Sequence, residues 1–252
     1  MFVFPMLGRS SRFFNAGFNV PKYKLPLGSQ GQIVFDHVMS SFKRYFETDL
    51  FVLISRVDTN DKQFLVERLQ ALGVKRFEVL EHEGETRGQA ESVELALKGV
   101  LDEEELYIFN IDTILYEFKK DSSRGNAGGY LEVFRGEGKH WSFVDPSPLH
   151  SGRAIRVVEK ERISELCSNG LYFFKSIKLF KDALGAYLIK HRDSMDELYV
   201  APIYNELIEC GIIINFIIIS NDKIGFCGVP DEYFELCSKL KKSDQILPLI
   251  PT

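Results

Sequence analysis

Between residues 2 and 112 short apolar runs alternate with segments of helical spacing, and this alternation constrains the fold more than any other feature of the chain. Residues 2–6 form an apolar run that breaks into Gly8-Arg9-Ser10-Ser11, a strand followed by a polar loop. Residues 33–46 carry Ile33, Val34, Val38, Met39, Phe42 and Phe46 at close to helical intervals. Residues 49–55 read as a strand, and Thr59-Asn60-Asp61 offers N-caps for a helix ending near Gly73. Residues 77–80 are the next strand. Residues 89–98 set Ala90, Val93, Ala96 and Leu97 on one helical side and stop at Gly99. A strand over 106–111 then delivers Asp112 at its carboxyl end. Strands that alternate with helices favour a parallel sheet covered on both faces. Ligands of such sheets bind beyond the carboxyl ends of the strands, where loop 8–11, loop 86–89 and Asp112 all fall.

After residue 112 the pattern changes. Residues 130–134, 141–144 and 153–159 are strand candidates joined by polar or glycine-containing turns. A strand over 171–174 follows Ser168-Asn169-Gly170, and helices are expected near 177–190 and 197–209. Residues 212–219 and 224–227 are expected to close the sheet, and Pro230-Asp231-Glu232 to start a C-terminal helix. With no repeat, low-complexity stretch or linker, one mixed α/β domain over 1–252 is the simplest account.

Charge and cysteine usage narrow the partners. The chain carries 31 basic and 36 acidic residues, a formal charge of -5, which argues against an extended nucleic-acid surface but permits a local basic pocket. Cys167, Cys210, Cys227 and Cys237 form no C-x-x-C pair, which points to reduced thiols in a cytoplasmic protein rather than to structural zinc. The apolar start Met1-Phe2-Val3-Phe4-Pro5 is too short for a signal peptide, and the run 212–219 is interrupted by Asn215 and reads as a buried strand. No membrane partner is expected.

Several clusters could carry chemistry. A glycine and serines directly after a first strand suit a loop whose amides approach phosphates, with Arg12 and Lys22 supplying charge. The same residues also suit a surface turn followed by a solvated basic stretch. No Walker loop and no dinucleotide glycine fingerprint is present. Asp112 is placed as a metal ligand, or as a turn or cap residue. His37, His82, His140, His150 and His191 show no metal spacing. Trp141 reads equally as a pocket wall or as a core residue.

The stretch Pro5-Met6-Leu7-Gly8-Arg9-Ser10-Ser11-Arg12-Phe13, followed by Pro21-Lys22, resembles the signature loop of the sugar nucleotidyltransferases, A-A-G-x-G-(S/T)-R and then P-K. Leu7 stands where alanine is usual and Ser10 where the second glycine is usual. Further landmarks follow in the family's order: Thr86-Arg87-Gly88-Gln89-Ala90, Asn110-Ile111-Asp112, Glu159-Lys160, Asn169-Gly170-Leu171-Tyr172-Phe173 and Gly228-Val229-Pro230-Asp231-Glu232-Tyr233.

The resemblance implies a Rossmann-like three-layer α/β/α fold with a mixed central sheet (GT-A-like), in which 1–115 binds nucleotide and 116–252 binds acceptor. By it Arg12 holds the triphosphate tail and Lys22 the α-phosphate. Leu7, Gly8, Ser10, Ser11, Gly88 and Gln89 contact the nucleotide, and Glu159, Lys160, Asn169 and Gly170 the acceptor. Asp112 binds Mg²⁺. Phe226 occupies the usual place of a second aspartate, so either Asp222 substitutes for it or a nucleotide oxygen and water complete the shell.

The implied activity transfers a nucleoside monophosphate from an NTP (CTP, UTP or dTTP) to a small phosphorylated acceptor, releasing pyrophosphate. The acceptor is a sugar 1-phosphate in most of the family, feeding capsule or other surface polysaccharide. Cytidylyl transfer to a non-sugar phosphate (phosphocholine or a phosphorylated amino acid), a glycosyltransferase of the same fold and, given Ser10 and Phe226, a non-catalytic regulatory relative are the alternatives. A homo-oligomer is compatible with the resemblance.

Overall fold

Each of the first four apolar runs forms a strand: β1 (Phe2–Pro5), β2 (Phe51–Arg56), β3 (Phe77–His82) and β4 (Leu106–Phe109). The computed structural model describes residues 1–28, 31–122, 125–192 and 197–244. The expected parallel pairing is present: β1 lies between β2 and β4, with Phe2 level with Phe51 and Tyr107, and β3 flanks β2. Alternation along these strands sorts their side chains into two cores. Phe2, Phe4, Phe51, Leu53, Tyr107 and Phe109 join one, under α2 (Val34–Ser40) and α3 (Lys62–Leu72). Val3, Val52, Ile54, Leu106 and Ile108 join the other, under α4 (Gln89–Ala96), α5 (Ile177–Lys190) and α6 (Tyr204–Glu209).

The first core is aromatic. The Phe2 ring lies 4.8 Å from Phe42, 5.1 Å from Phe51 and 4.9 Å from Tyr107. Truncating such a ring to alanine costs about 3–5 kcal/mol, so this cluster fixes the strands whose ends build the cleft.

Three expectations are corrected here. The helix over 33–46 ends at Ser40 and resumes as a 3-10 turn, Lys43–Tyr45, while Phe42 and Phe46 stay buried. Asp61 sits at the N-cap of α3 without bonding its amides, because its buried carboxylate accepts the Tyr23 hydroxyl and the Lys24 ammonium. The helix expected from 197 begins only at a 3-10 turn, Ala201–Ile203, followed by α6. Residues just before it are held open by backbone bonds: the Leu198 amide donates to Arg87 O at 2.7 Å, and the Ala90 amide donates to Leu198 O at 3.0 Å.

The rest of the sheet is mixed. Strand β5 (Thr113–Leu115) follows Asp112 and leaves the main sheet. Then come β6 (Gly129–Arg135), β7 (Ser142–Pro146), β8 (Arg153–Glu159), β9 (Leu166–Phe174) and β10 (Ile214–Ile218). Strand β9 is antiparallel to both β4 and β6, and β10 runs parallel to β6, giving the order β3-β2-β1-β4-β9-β6-β10-β8-β7. Ser168, Asn169 and Gly170, placed above as flanking the strand 171–174, lie inside β9. Strand β11 (Ile224–Phe226) does not close the main sheet; it pairs antiparallel with β5 as a separate ribbon. Helix α7 (Pro230–Asp244) ends the described chain, and no described helix is long and apolar enough to cross a membrane.

Candidate active site

Beyond the carboxyl ends of β1 to β4 lies a cleft of about 540 Å³. Its first wall is the loop after β1, tied down where the Met6 amide donates to Ile54 O at 2.8 Å. Ser10 adopts the left-handed conformation (φ 53°, ψ 27°) and starts a short helix, α1 (Ser11–Asn15). Glycine takes that conformation freely, whereas an L side chain costs about 1–2 kcal/mol there, so Ser10 preserves the turn of a glycine at some strain. Its hydroxyl repays part of this by accepting the Lys22 amide at 3.3 Å, which joins the loop to Pro21-Lys22.

Lys22 and Asp112 meet in the cleft, with Nζ 2.5 Å from Oδ2 and each side chain about one-fifth exposed (23% and 19%). Opposite them the β11 ribbon folds back: the Cys227 amide donates to Asp112 O at 2.9 Å, and Gly228 follows. A Cβ on Gly228 would stand 3.2 Å from Asp112 Oδ2 and 3.4 Å from Glu232 Oε2, so two carboxylates converge on one small space. Glu232, in the first turn of α7, accepts the Gly228 amide at 2.9 Å and the Val229 amide at 3.3 Å. Burial, and to a lesser degree the charge of Asp112, raises its carboxyl above the usual range.

At the β3 end, a side chain on Gly88 (φ 150°) would strike the Leu198 carbonyl at 2.5 Å, so only glycine lets this loop close on the 197–199 segment. The Gln89 amide donates to Asn110 Oδ1. Across the cleft, Glu159 at the end of β8 accepts the Ser142 hydroxyl, and burial raises its carboxyl. Burial likewise pushes the Tyr172 phenol up to about 12. Asn169 donates to buried Glu132 at 3.0 Å, and burial lifts that carboxyl to about 7. Gly170 (φ 89°) leaves room for Asn110, whose Nδ2 would stand 2.3 Å from a Cβ.

The cleft is electrically divided. Its arginines and lysine, Arg9, Arg12, Lys22 and Arg56, all come from the N-terminal half, which also contributes Glu85 and Asp112, while the C-terminal half contributes the carboxylates Glu159, Glu197 and Glu232 but no lysine or arginine. Trp141 and Phe226 also line it, with ring centroids 4.9 Å apart and Phe134 behind both.

Among solved structures, the chain is 41% identical to a nucleoside-diphosphate-sugar pyrophosphorylase from Vibrio cholerae RC9, over 94% of this chain and 100% of that one, with a TM-score of 0.89. The chain belongs to the sugar nucleotidyltransferase family. Its fold is shared with an inositol-1-phosphate CTP transferase from T. maritima (17% identity, 96% and 95% coverage, TM-score 0.71). A UDP-glucose pyrophosphorylase from Acinetobacter baumanii has the same fold (14% identity, 98% and 99% coverage, TM-score 0.67). No family model and no curated protein sequence matches it.

Of the residues that the sugar nucleotidyltransferase resemblance singled out, the cleft brings together Leu7, Gly8, Ser10, Arg12, Lys22, Gly88, Gln89, Asp112, Glu159, Asn169 and Gly170. Three lie elsewhere. Ser11 faces an adjoining cavity behind the loop. Lys160 is in the left-handed conformation (φ 57°), and its ammonium turns to the Tyr199 hydroxyl and, at 3.6 Å, to Glu197. Asp222 is the clearest correction: it sits on an exposed 3-10 turn, Asn221–Lys223, accepts the Ser220 hydroxyl, and does not line the cleft. Phe226, at the place where the resemblance puts a second aspartate, adds its ring to the aromatic wall instead. Glu232, Glu197, Tyr199 and Arg56 were missed. Only Glu232 carried a signal, its place in the closing Gly228–Tyr233 motif.

Proposed function

We propose that this protein transfers a nucleoside monophosphate from an NTP to a sugar 1-phosphate, releasing pyrophosphate. The observation that carries the reading is a single cleft in which the signature loop, Lys22 and Asp112 meet at one side and Glu159, Asn169 and Gly170 line the other. The 41% identity to a nucleoside-diphosphate-sugar pyrophosphorylase supports it. Supply of nucleotide sugar for capsule or other surface polysaccharide is the physiological role that fits this reaction.

An oxygen of the acceptor phosphate attacks the α-phosphorus, and a new P–O bond forms there. The bond from the α-phosphorus to the bridging oxygen breaks, and its electron pair leaves on pyrophosphate. Two anions must be brought together, so the task of the chain is positioning and charge neutralisation. The loop amides and Arg12 hold the triphosphate. Lys22 stabilises the α-phosphate as negative charge grows on it. Gly88 and Gln89 border the base, and Glu159 and Asn169 orient the acceptor. No protein nucleophile is required, and the nearby thiol of Cys227 is held protonated by burial and by the charge of Asp112.

The donor set fits Mg²⁺. Asp112 and Glu232 offer oxygen ligands around the space over Gly228, and the Lys22 ammonium already stands as a cation on Asp112. With two carboxylates at hand, water and nucleotide oxygens would complete the shell of the ion. Bound there, Mg²⁺ would neutralise triphosphate charge during the displacement.

The test is pyrophosphate release with each of the four NTPs against a panel of phosphorylated acceptors, including phosphocholine. Pyrophosphate is expected only when NTP, Mg²⁺ and a sugar 1-phosphate are combined. Nucleoside diphosphate released from a nucleotide sugar without NTP would instead make the protein a glycosyltransferase.

A further inference from the structure

The acceptor side of the cleft holds a half-buried carboxylate with no cation of its own. Glu159 accepts the Ser142 hydroxyl and forms no ion pair among the described residues. Lys160, next in sequence, gives its ammonium to Tyr199 and Glu197 instead. Burial therefore raises the Glu159 carboxyl even though the charge of Lys160 pulls the other way. A carboxylate in that position is stabilised by any cation that reaches it, and none of the lysines and arginines of this half lines the cleft.

Aromatic surface stands beside this carboxylate. Ser142 is level with Glu159 across β7 and β8, and the Lys160 amide donates to Trp141 O at 2.9 Å, which sets Trp141 next to the end of β8. The indole N–H of Trp141 donates to Glu137 O at 3.0 Å, so its polar handle is satisfied and its ring is what it offers a ligand. The Phe226 ring adds a second surface, tilted by 51° to the indole. Aromatic faces attract ammonium groups, most strongly where water is excluded. Opposite them, Arg12 and Lys22 supply the positive charge that phosphates need. A molecule with a phosphate at one end and an ammonium at the other matches both halves of the cleft at once.

We propose that the acceptor is a phosphate ester that carries an ammonium group, which Glu159 and the rings of Trp141 and Phe226 receive. Within the sugar class this is an amino sugar 1-phosphate. The inference rests on the nucleotidyl-transfer reading, which makes this half of the cleft the acceptor side. A sugar hydroxyl can also hydrogen-bond to Glu159, but only a cation gains from the carboxylate charge and from the ring faces together.

Trp141 is the single tryptophan of the chain, so its fluorescence reports on this wall alone. The full-length protein is titrated near neutral pH with glucose 1-phosphate, its monoamino derivatives, their N-acetyl forms and phosphocholine. At least one monoamino derivative should bind about tenfold or more tightly than its neutral N-acetyl form and than glucose 1-phosphate. Glu159→Gln keeps the shape and removes the charge, and should bring these ligands within about threefold of one another. The inference is overturned if no ammonium ligand changes the fluorescence, if the neutral sugar phosphates bind as tightly, or if Glu159→Gln keeps the full preference. Tight binding of phosphocholine with none of the sugar phosphates would keep the cation site and overturn the sugar part of the proposed function. Pyrophosphate released as readily with glucose 1-phosphate as with every amino derivative would overturn the inference and leave the nucleotidyl-transfer reading standing. An intact binding preference without pyrophosphate from any NTP would overturn that reading and leave the cation site.

Discussion

On the N-terminal side of the cleft, four parallel strands end at one edge and deliver a loop, two arginines from that loop, Lys22, Arg56 and Asp112. On the C-terminal side, strands of mixed direction present Glu159, Trp141, Tyr172 and Phe226 from their faces and ends, and no lysine or arginine of that half lines the cleft. The first side offers strand ends and all four lysine and arginine side chains of the cleft, the second aromatic surface and carboxylates. Phosphates are the same in every nucleotide, so strand ends and amides suffice for them. An acceptor is individual, and on the function proposed above the second side is where selectivity for it would be set. Phe226 stands where the resemblance places a second aspartate.

The largest effects should come from the first side. Lys22→Ala removes the cation assigned to the α-phosphate and should lower kcat about 100-fold or more, with a smaller change in KM, in a steady-state pyrophosphate assay. Asp112→Asn should lower activity at least as far while the melting temperature stays close to wild type. If either variant turned over at a rate near that of wild type, the division of labour would fail at its strongest point.

Trp141→Leu should act on the second side alone. Loss of an aromatic face at an acceptor site should raise the acceptor KM up to about tenfold and leave the NTP KM within about twofold. An equal rise in both would mean that the wall supports the fold rather than the acceptor.

A smaller effect should appear behind that wall, at Glu132. Its folded-state pKa is raised from 4.5 to about 7 by burial, so the native state holds the proton more tightly than the unfolded chain. This contribution is full below about 4.5 and is lost as the pH rises through about 7. Glu132→Gln stays neutral and can still accept from Asn169. It should raise stability at pH 8 by on the order of 1 kcal/mol and change little at pH 4, measured by urea unfolding. Equal denaturation midpoints for the two proteins at pH 8 would remove the buried-charge account.

The parallel half was legible because periodicity and strand-end motifs lie close together in sequence. Gly8, Arg12, Gly88 and Asp112 each follow an apolar run, and a parallel sheet can only set them at one edge. The left-handed conformation of Ser10 explains why glycine is usual at its position. The other half was harder for a physical reason. Glu232 reaches Asp112 only because β11 pairs with β5, a contact between segments far apart in the chain that no local pattern reports. Asp222, close to Phe226 in sequence, turns outward on the tip before β11. Lys160, in the left-handed conformation, is not among the lining residues and spends its ammonium on Tyr199 and Glu197, although Glu159 beside it lines the cleft.

The central claim is that the cleft clamps two anions for one in-line displacement at the α-phosphorus, without a covalent enzyme intermediate. Turnover of an α-thiotriphosphate of one configuration, with the configuration of the product read by phosphorus NMR, tests that claim directly. The account predicts inversion at the α-phosphorus, and retention would contradict it by requiring a second displacement through a group on the protein.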